Sequence, residues 1–218
     1  MKTLKLLSMS LLFSFNLISC EQSDLFVNEL EVSTSNETYE SIAFEAIEFT
    51  SNPDSLLSNE EMGLYLMREE EKMAMDIYAY FYEKYQIPIF NNIAKSESKH
   101  TSAVLRLINY FGLKDPALEP TAEYSNEEIQ NLYTKLTSEG NTIENALSTG
   151  AFIEEYDIAD LKKLIAETQN ADIKLVYANL LRGSENHIKA FAKQLKFRGI
   201  EYVPQILSQE EYNSIINE

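Results

Sequence analysis

Four stretches of this chain carry apolar residues at helical spacing, and each stripe is interrupted near its middle by a carboxylate or an imidazole. Taken at 3.6 residues per turn, the first stripe reads Leu64, Met67, Glu71, Ala74, Tyr78 and Phe81, in a helix expected from about Asn59 to Tyr85. The second reads Ile93, Glu97, His100, Val104 and Leu107, expected over about Ile89 to Phe111. The third reads Leu147, Gly150, Glu154, Asp157 or Ile158, Leu161 and Ile165, expected over about Thr142 to Thr168. The fourth reads Leu180, Ser184, His187, Phe191 and Leu195, expected over about 172–198. Pro88, Gly112, the "QNAD" break at 169–172 and Gly199 punctuate them.

The order of elements limits the topology. Two long helices joined by a short loop are followed by a connection over 113–141, with its own short helix near 126–138. Two more long helices follow, again joined by a short loop. That order predicts an all-α fold: a ferritin-like four-helix bundle with one long crossover connection between the second and third long helices. No strand run or glycine-rich phosphate loop competes with it. Capping boxes are expected at Ser58/Glu61, Ser125/Glu128 and Ser208/Glu211. One small helix is expected in the tail beyond Pro204.

The start of the chain has a different composition. "MKTLKLLSMSLLFSFNLISC" places two lysines before an apolar run and ends on Cys20, the one cysteine of the chain. Residues 1–19 read as a secretory signal, and Leu17-Ile18-Ser19-Cys20 resembles the lipobox of bacterial lipoproteins, with Cys20 as the lipidated residue. A single cysteine excludes an internal disulfide. Residues 20–57, polar around "STSNETYES", are expected to form a flexible tether, in which the more apolar "IAFEAIEF" (42–49) could dock on the domain. Asn36-Glu37-Thr38 fits a glycosylation sequon, to which a lipobox gives little weight. The domain proper is expected over 58–218. The implied location is the bacterial cell envelope, lipid-anchored on the periplasmic face or the cell surface. Without Lys2 and Lys5, 16 basic residues face 35 acidic ones, a net charge of −19. Such a surface repels nucleic acid and anionic lipid, so the membrane partner is reached through Cys20.

Several ionised carboxylates buried together repel each other and are costly to desolvate. A multivalent cation among them removes both difficulties, and mixed carboxylate and imidazole donors suit iron, manganese or zinc. The depths agree: Glu71 and His100 lie equidistant from the first short loop, and Glu154 and His187 from the second. "REEEK" (68–72) reads otherwise as a solvated charge run, with Glu69 and Glu70 outside the site. Glu155 replaces Glu154 if the helical phase is off by one. Asp76, Tyr78 and Asn186 are candidates for supporting contacts. The lone cysteine and the lack of a serine–histidine–acid set leave nucleophilic catalysis without residues.

"EKMAMDIYAYF" (71–81) resembles the first helix of rubrerythrin-type ferritin-like proteins, and "ESKH" (97–100) matches the E-x-x-H of their second helix. The combined pattern over about 56–215 is similar to a bacterial ferritin-like family known as DUF2202. The resemblance implies a carboxylate-bridged two-metal centre. Glu71 would be the ligand of the first helix, Glu97 and His100 of the second, with Glu97 a candidate bridge. Glu154, with Asp157 near it, would come from the third and His187 from the fourth. One position departs from the symmetrical pattern: Ser184 stands where a carboxylate three residues before His187 is expected. Glu185 lies about 200° around the helix from His187. The expected function is binding of iron or another transition metal, di-iron or mononuclear, with Fe(II) oxidation or peroxide handling as the activity to test. The alternative is a non-enzymatic metal-binding or stress-protective interaction bundle with an incomplete di-metal site. No ferredoxin-like or rubredoxin-like cysteines are present, so electrons would come from a partner donor or the metal itself. A homo-oligomer is compatible with the sequence.

Overall fold

The computed structural model describes residues 47–217. The signal, Cys20, the sequon and the tether to residue 46 lie outside the described residues. The described chain is all-helical. Four long helices, α1 (Ser58–Tyr85), α2 (Pro88–Tyr110), α4 (Ile143–Glu167) and α5 (Ala171–Phe197), are joined by shorter α3 (Glu127–Glu139) and followed by α6 (Gln209–Asn217). A single 3-10 turn, Pro53–Ser55, precedes α1.

Local chemistry sets the ends. Gln86 stops α1 in the left-handed region at φ 55°, and Pro88 opens α2 at its first turn. Thr142 caps α4 by accepting from the Asn145 amide, and Asn170 caps α5 by accepting from the amides of Asp172 and Ile173. Two expected caps differ. At α1 the N-cap is Leu57, whose amide donates to Glu60, one residue before the expected Glu61. At α3 the N-cap is Asn126, and Ser125 instead donates its amide and hydroxyl to Glu69. Ser208 does accept from the Glu211 amide at 3.2 Å, while the Glu211 carboxylate pairs with Lys162.

Helices α1 and α2 pack as one hairpin and α4 and α5 as another; α1 also touches α4, and α2 touches α5, closing a ring of four. The crossover carries α3, which lies against α1 and α4. The apolar core is in two parts. One gathers Tyr78, Phe81, Phe90, Leu147 and Phe191, and the other Leu64, Met67, Val104, Leu107, Leu161 and Leu180. In sequence, the inward polar residues of each long helix fall between its contributions to the two parts. The stripe pattern therefore becomes a polar layer between two apolar ones.

Residues 47–51, expected within the tether, are fixed on the bundle. Ile47 is buried, the amides of Thr50 and Ser51 donate to Asp172 at 2.8 and 2.7 Å, and Tyr110 donates to the Ser51 carbonyl at 2.6 Å. Apolar Ile47 and Phe49 find a surface there, so the ordered chain begins before residue 58. Among the described residues no helix is long and apolar enough to cross a membrane.

Candidate metal centre

Each long helix delivers one part of the polar layer because its stripe holds the acid or imidazole one turn from a large apolar neighbour. Glu71 follows Met67 by four residues on α1, and Glu97 follows Ile93 by four on α2. His100 is three further on, on the same face. Glu154 precedes Ile158 by four residues on α4, and His187 precedes Phe191 by four on α5. All five are buried.

Glu97 is the centre of the arrangement. Its Oε2 lies 2.7 Å from His100 Nδ1 and its Oε1 lies 2.8 Å from His187 Nδ1. The imidazoles are stacked, with ring centroids 5.5 Å apart and planes inclined by 26°. Glu71 Oε2 approaches His100 Nδ1 to 3.3 Å, and Glu154 Oε2 approaches His187 Nδ1 to 3.4 Å. Two groups result, Glu71–Glu97–His100 and Glu97–Glu154–His187, each with donor atoms within 4.8 Å of one another. Either could hold a metal ion, and Glu97 belongs to both.

The donor atoms fit a cation better than they fit each other. Glu71 Oε1 is buried without a hydrogen-bond partner, while Glu97 Oε1 and His187 Nδ1 face each other at 2.8 Å. Buried polar atoms left without a partner are rare and costly. Three carboxylates and two imidazoles are also an oxygen and nitrogen set that suits iron, manganese or zinc.

The electrostatics separate the acids. Burial acts to raise the Glu97 pKa, but the charges of His100 and His187 outweigh it and hold the carboxyl well below its usual range. Burial acts to lower both histidines, yet Glu97 with Glu71 raises His100, and Glu97 with Glu154 raises His187. Glu71 is pushed well up by burial and by the neighbouring Asp157, against the pull of His100. Glu154 is raised by burial and by Glu97. Glu154 accepts from Tyr78 at 2.5 Å, and the same hydroxyl is 3.3 Å from the Gly150 carbonyl.

Asp157 and Ser184 form their own pair. The Ser184 hydroxyl donates to Asp157 Oδ2 and lies 3.1 Å from the Leu180 carbonyl. Burial pushes Asp157 up to about 8 despite that bond. Asp157 is thus beside the centre but in neither donor group. Position 184 orients this acid, where the symmetrical pattern would have a carboxylate. Glu155 points away: it accepts from Tyr202 and from the amides of Gln205, Ile206 and Leu207, holding the tail against α4. Asp76 accepts from Lys72, Tyr124 and the Ala122 amide, so it holds the crossover.

The expectation of a solvated "REEEK" is corrected by the fold. Glu69, Glu70, Glu71 and Lys72 are all buried, because the crossover covers Glu69 and Lys72 while Glu70 and Glu71 line the cavity inside the bundle. Glu69 accepts from the amides of Ser125 and Asn126. Glu70 was missed as an inward residue. It lines a narrow cavity with Glu71, Glu97, Glu154, Tyr156 and Asp157. A second stripe at Gly63, Met67, Glu70, Ala74, Ile77 and Phe81 carries the helical spacing that reveals it.

The comparisons with known proteins agree with this architecture. An uncharacterized protein of Methanocaldococcus jannaschii, MJ0754, is 46% identical over 171 residues, which cover 77% of this chain and 92% of that protein. The crystal structure of the hypothetical protein MJ0754 superimposes with a TM-score of 0.76 at 42% identity, covering 79% of this chain and 98% of that one. Residues 60–218 match the family described as an uncharacterized protein domain, DUF2202. With the match extending from the first turn of α1 to the end of the chain, the protein belongs to the DUF2202 family.

Proposed function

We propose that this protein is a ferritin-like bundle that binds a pair of transition-metal ions, iron first among them, between its four long helices. Glu71 and His100 would hold one ion, Glu154 and His187 the other, and Glu97 would bridge. The observation that carries the reading is Glu97, buried between two imidazoles and shared by two donor groups drawn from four helices. In the form that binds metal, three ionised carboxylates beside two neutral imidazoles would carry a charge of −3, which divalent cations would offset. When bound, iron in so oxygen-rich a set would supply oxidation chemistry towards oxygen or peroxide. The chain itself contributes Tyr78 as a hydrogen-bond donor that orients Glu154, and Ser184 as one that orients Asp157.

The test is metal content of the purified protein, then Fe(II) oxidation with oxygen and with peroxide. Glu97→Gln should lose both ions, since it takes a ligand from each group. Retention of two ions by a folded Glu97→Gln variant would refute the centre.

A second reading is favoured by one observation: Glu97 already compensates two raised histidines without any cation. A metal-free polar layer would then serve a binding or protective bundle with no redox activity. A purified protein that neither contains nor takes up metal would select it. The lipobox reading of Cys20 is kept as a proposal for location, tested by whether Cys20→Ala moves the protein from the membrane fraction to the soluble one.

A further inference from the structure

Most buried acids of the described fold are satisfied by donors. Glu60 accepts from the Thr168 hydroxyl and the amides of Leu57, Gln169 and Asn170. Glu69, Asp76, Glu155 and Asp172 each likewise take at least two donors from a loop or tail. Glu70 does not. It is 3% exposed, no N–H or hydroxyl donates to either of its oxygens, and the side chain within hydrogen-bonding reach of it is another acid, Asp160. In the centre Glu71 likewise has one oxygen, Oε1, without a hydrogen-bond partner, and Glu70 lines the same cavity.

The surroundings of Glu70 are acidic from the centre outwards. Burial aside, the strongest influences on it are Asp160, Asp157 and Glu71. Asp160 is half-buried, and half-buried Tyr156 feels Glu70, Asp160 and the exposed Glu128 of α3 together. The cavity itself is lined by Glu70, Glu71, Met73 and Ala74 of α1, Glu97 of α2, and Ile153, Glu154, Tyr156 and Asp157 of α4. Exposure falls from Glu128 through half-buried Asp160, one turn beyond Asp157 on α4, to buried Glu70, which lines the cavity with Glu71, Glu97 and Glu154. Glu70 and Asp160 do not combine with a third donor into a compact ligand group. That suits passing contact with a cation better than retention, because conduction needs sites weak enough to release the ion.

We propose that Glu70 and Asp160 form the entry route by which a divalent cation crosses from solvent, between α1 and α4, to the buried centre. The proposal rests on the reading of that centre as a metal site. An approaching dication would be drawn to the acidic rim, exchange water for the Glu70 carboxylate, and move on to the donors of higher count.

The experiment is the rate of Co(II) loading into the metal-stripped full chain, followed by visible absorbance after rapid mixing. Wild type, E70Q, D160N and the distant exposed control E139Q are compared, with folding checked by circular dichroism. E70Q should reach the wild-type end point about tenfold more slowly, D160N several-fold more slowly, and E139Q at the wild-type rate. Because Asp160 is half-buried and carries no core packing role comparable to Glu70, D160N keeps the test decisive should E70Q fail to fold. Wild-type rates in the folded variants overturn the route while leaving the centre intact. Equal slowing in E139Q overturns it as well, since only general surface charge would then be at work. A lower end point at unchanged rate makes Glu70 a resident ligand and also overturns it. If wild type takes up no Co(II), the metal centre itself falls, and the route with it.

Discussion

Glu71 and Glu97 are both buried carboxylates on donor groups, yet their removal from the metal-free protein should have unlike consequences. Glu97 lies 2.7 Å and 2.8 Å from the two imidazole Nδ1 atoms and is held ionised by them. Glu71 is pushed towards its neutral form by burial and by Asp157. Exchanging Glu71 for Gln replaces one neutral group with another of the same shape. Exchanging Glu97 for Gln takes the shared counter-charge from two raised histidines. Breaking a buried ion pair from one side costs about 3–5 kcal/mol. Here the amide oxygen still serves as an acceptor and the imidazoles can release their protons, which reduces the expected loss to about 2–3 kcal/mol.

At about 2–4 °C per kcal/mol for a domain of this size, Glu97→Gln should lower Tm by about 5–10 °C in the presence of chelator, and Glu71→Gln by less than about 3 °C. Thermal unfolding followed by circular dichroism reads both, and urea unfolding at pH 7 checks that the slopes agree. Adding metal should widen the gap from wild type for both variants. A ligand at 100 times its Kd stabilises by about 2.7 kcal/mol, and each variant forfeits part of that. The reasoning is refuted if metal-free Glu71→Gln is destabilised as much as Glu97→Gln, because Glu71 would then be the charged partner of His100.

Three further outcomes are expected. Glu60→Gln should cost about 1–2 kcal/mol at pH 7 by urea unfolding. Burial acts to raise the Glu60 pKa, but its hydroxyl and amide donors outweigh that and lower it, so its contribution is present above the unfolded carboxyl pKa of about 4.3 and is lost as pH falls through the folded value. Gly150→Ala should cost about 2–3 kcal/mol in the same assay, since a Cβ there would meet Phe191 Cε1 and Cζ at 2.5 Å. Ser184→Glu should lower the metal-free Tm by setting a second carboxylate against Asp157, and the loss should be recovered on adding Co(II) more fully than in wild type.

The helices were legible because their stripes and their stops are local chemistry. Pro88 and Asn170 start elements, Gly112 and Gly199 follow their ends, and the observed bounds of the four long helices lie within a residue or so of those expected. The caps at Ser58 and Ser125 were not, because Glu60 and Glu69 respond to donors far along the chain, at Thr168–Asn170 and at Ser125–Asn126. A capping box read from four consecutive residues has no knowledge of a loop more than a hundred residues away. That "IAFEAIEF" (42–49) could dock was legible from its apolar residues, but the same limit hid the partners of residues 47–51, Asp172 on α5 and Tyr110 on α2.

The grouping of Glu71, Glu97, His100, Glu154 and His187 could be drawn from helical phase alone, while the sorting of the other acids could not. A helix covered on one side only has one inward stripe, and Glu69 and Glu70 fall off it. α1 is covered on three sides, by α2, by α4 and by the crossover with α3, so consecutive glutamates are all buried and each meets a different neighbour. Glu69 meets the amides of the crossover and is satisfied. Glu71 meets His100. Glu70 meets only other acids along the α4 side and is not satisfied. Burial alone therefore does not distinguish an acid that holds the fold from one that waits for a cation; the donors around it do. By that criterion the run "EEE" divides three ways in three consecutive residues: Glu69 clasps the crossover, Glu70 lines the cavity among other acids, and Glu71 belongs to a donor group that could hold an ion.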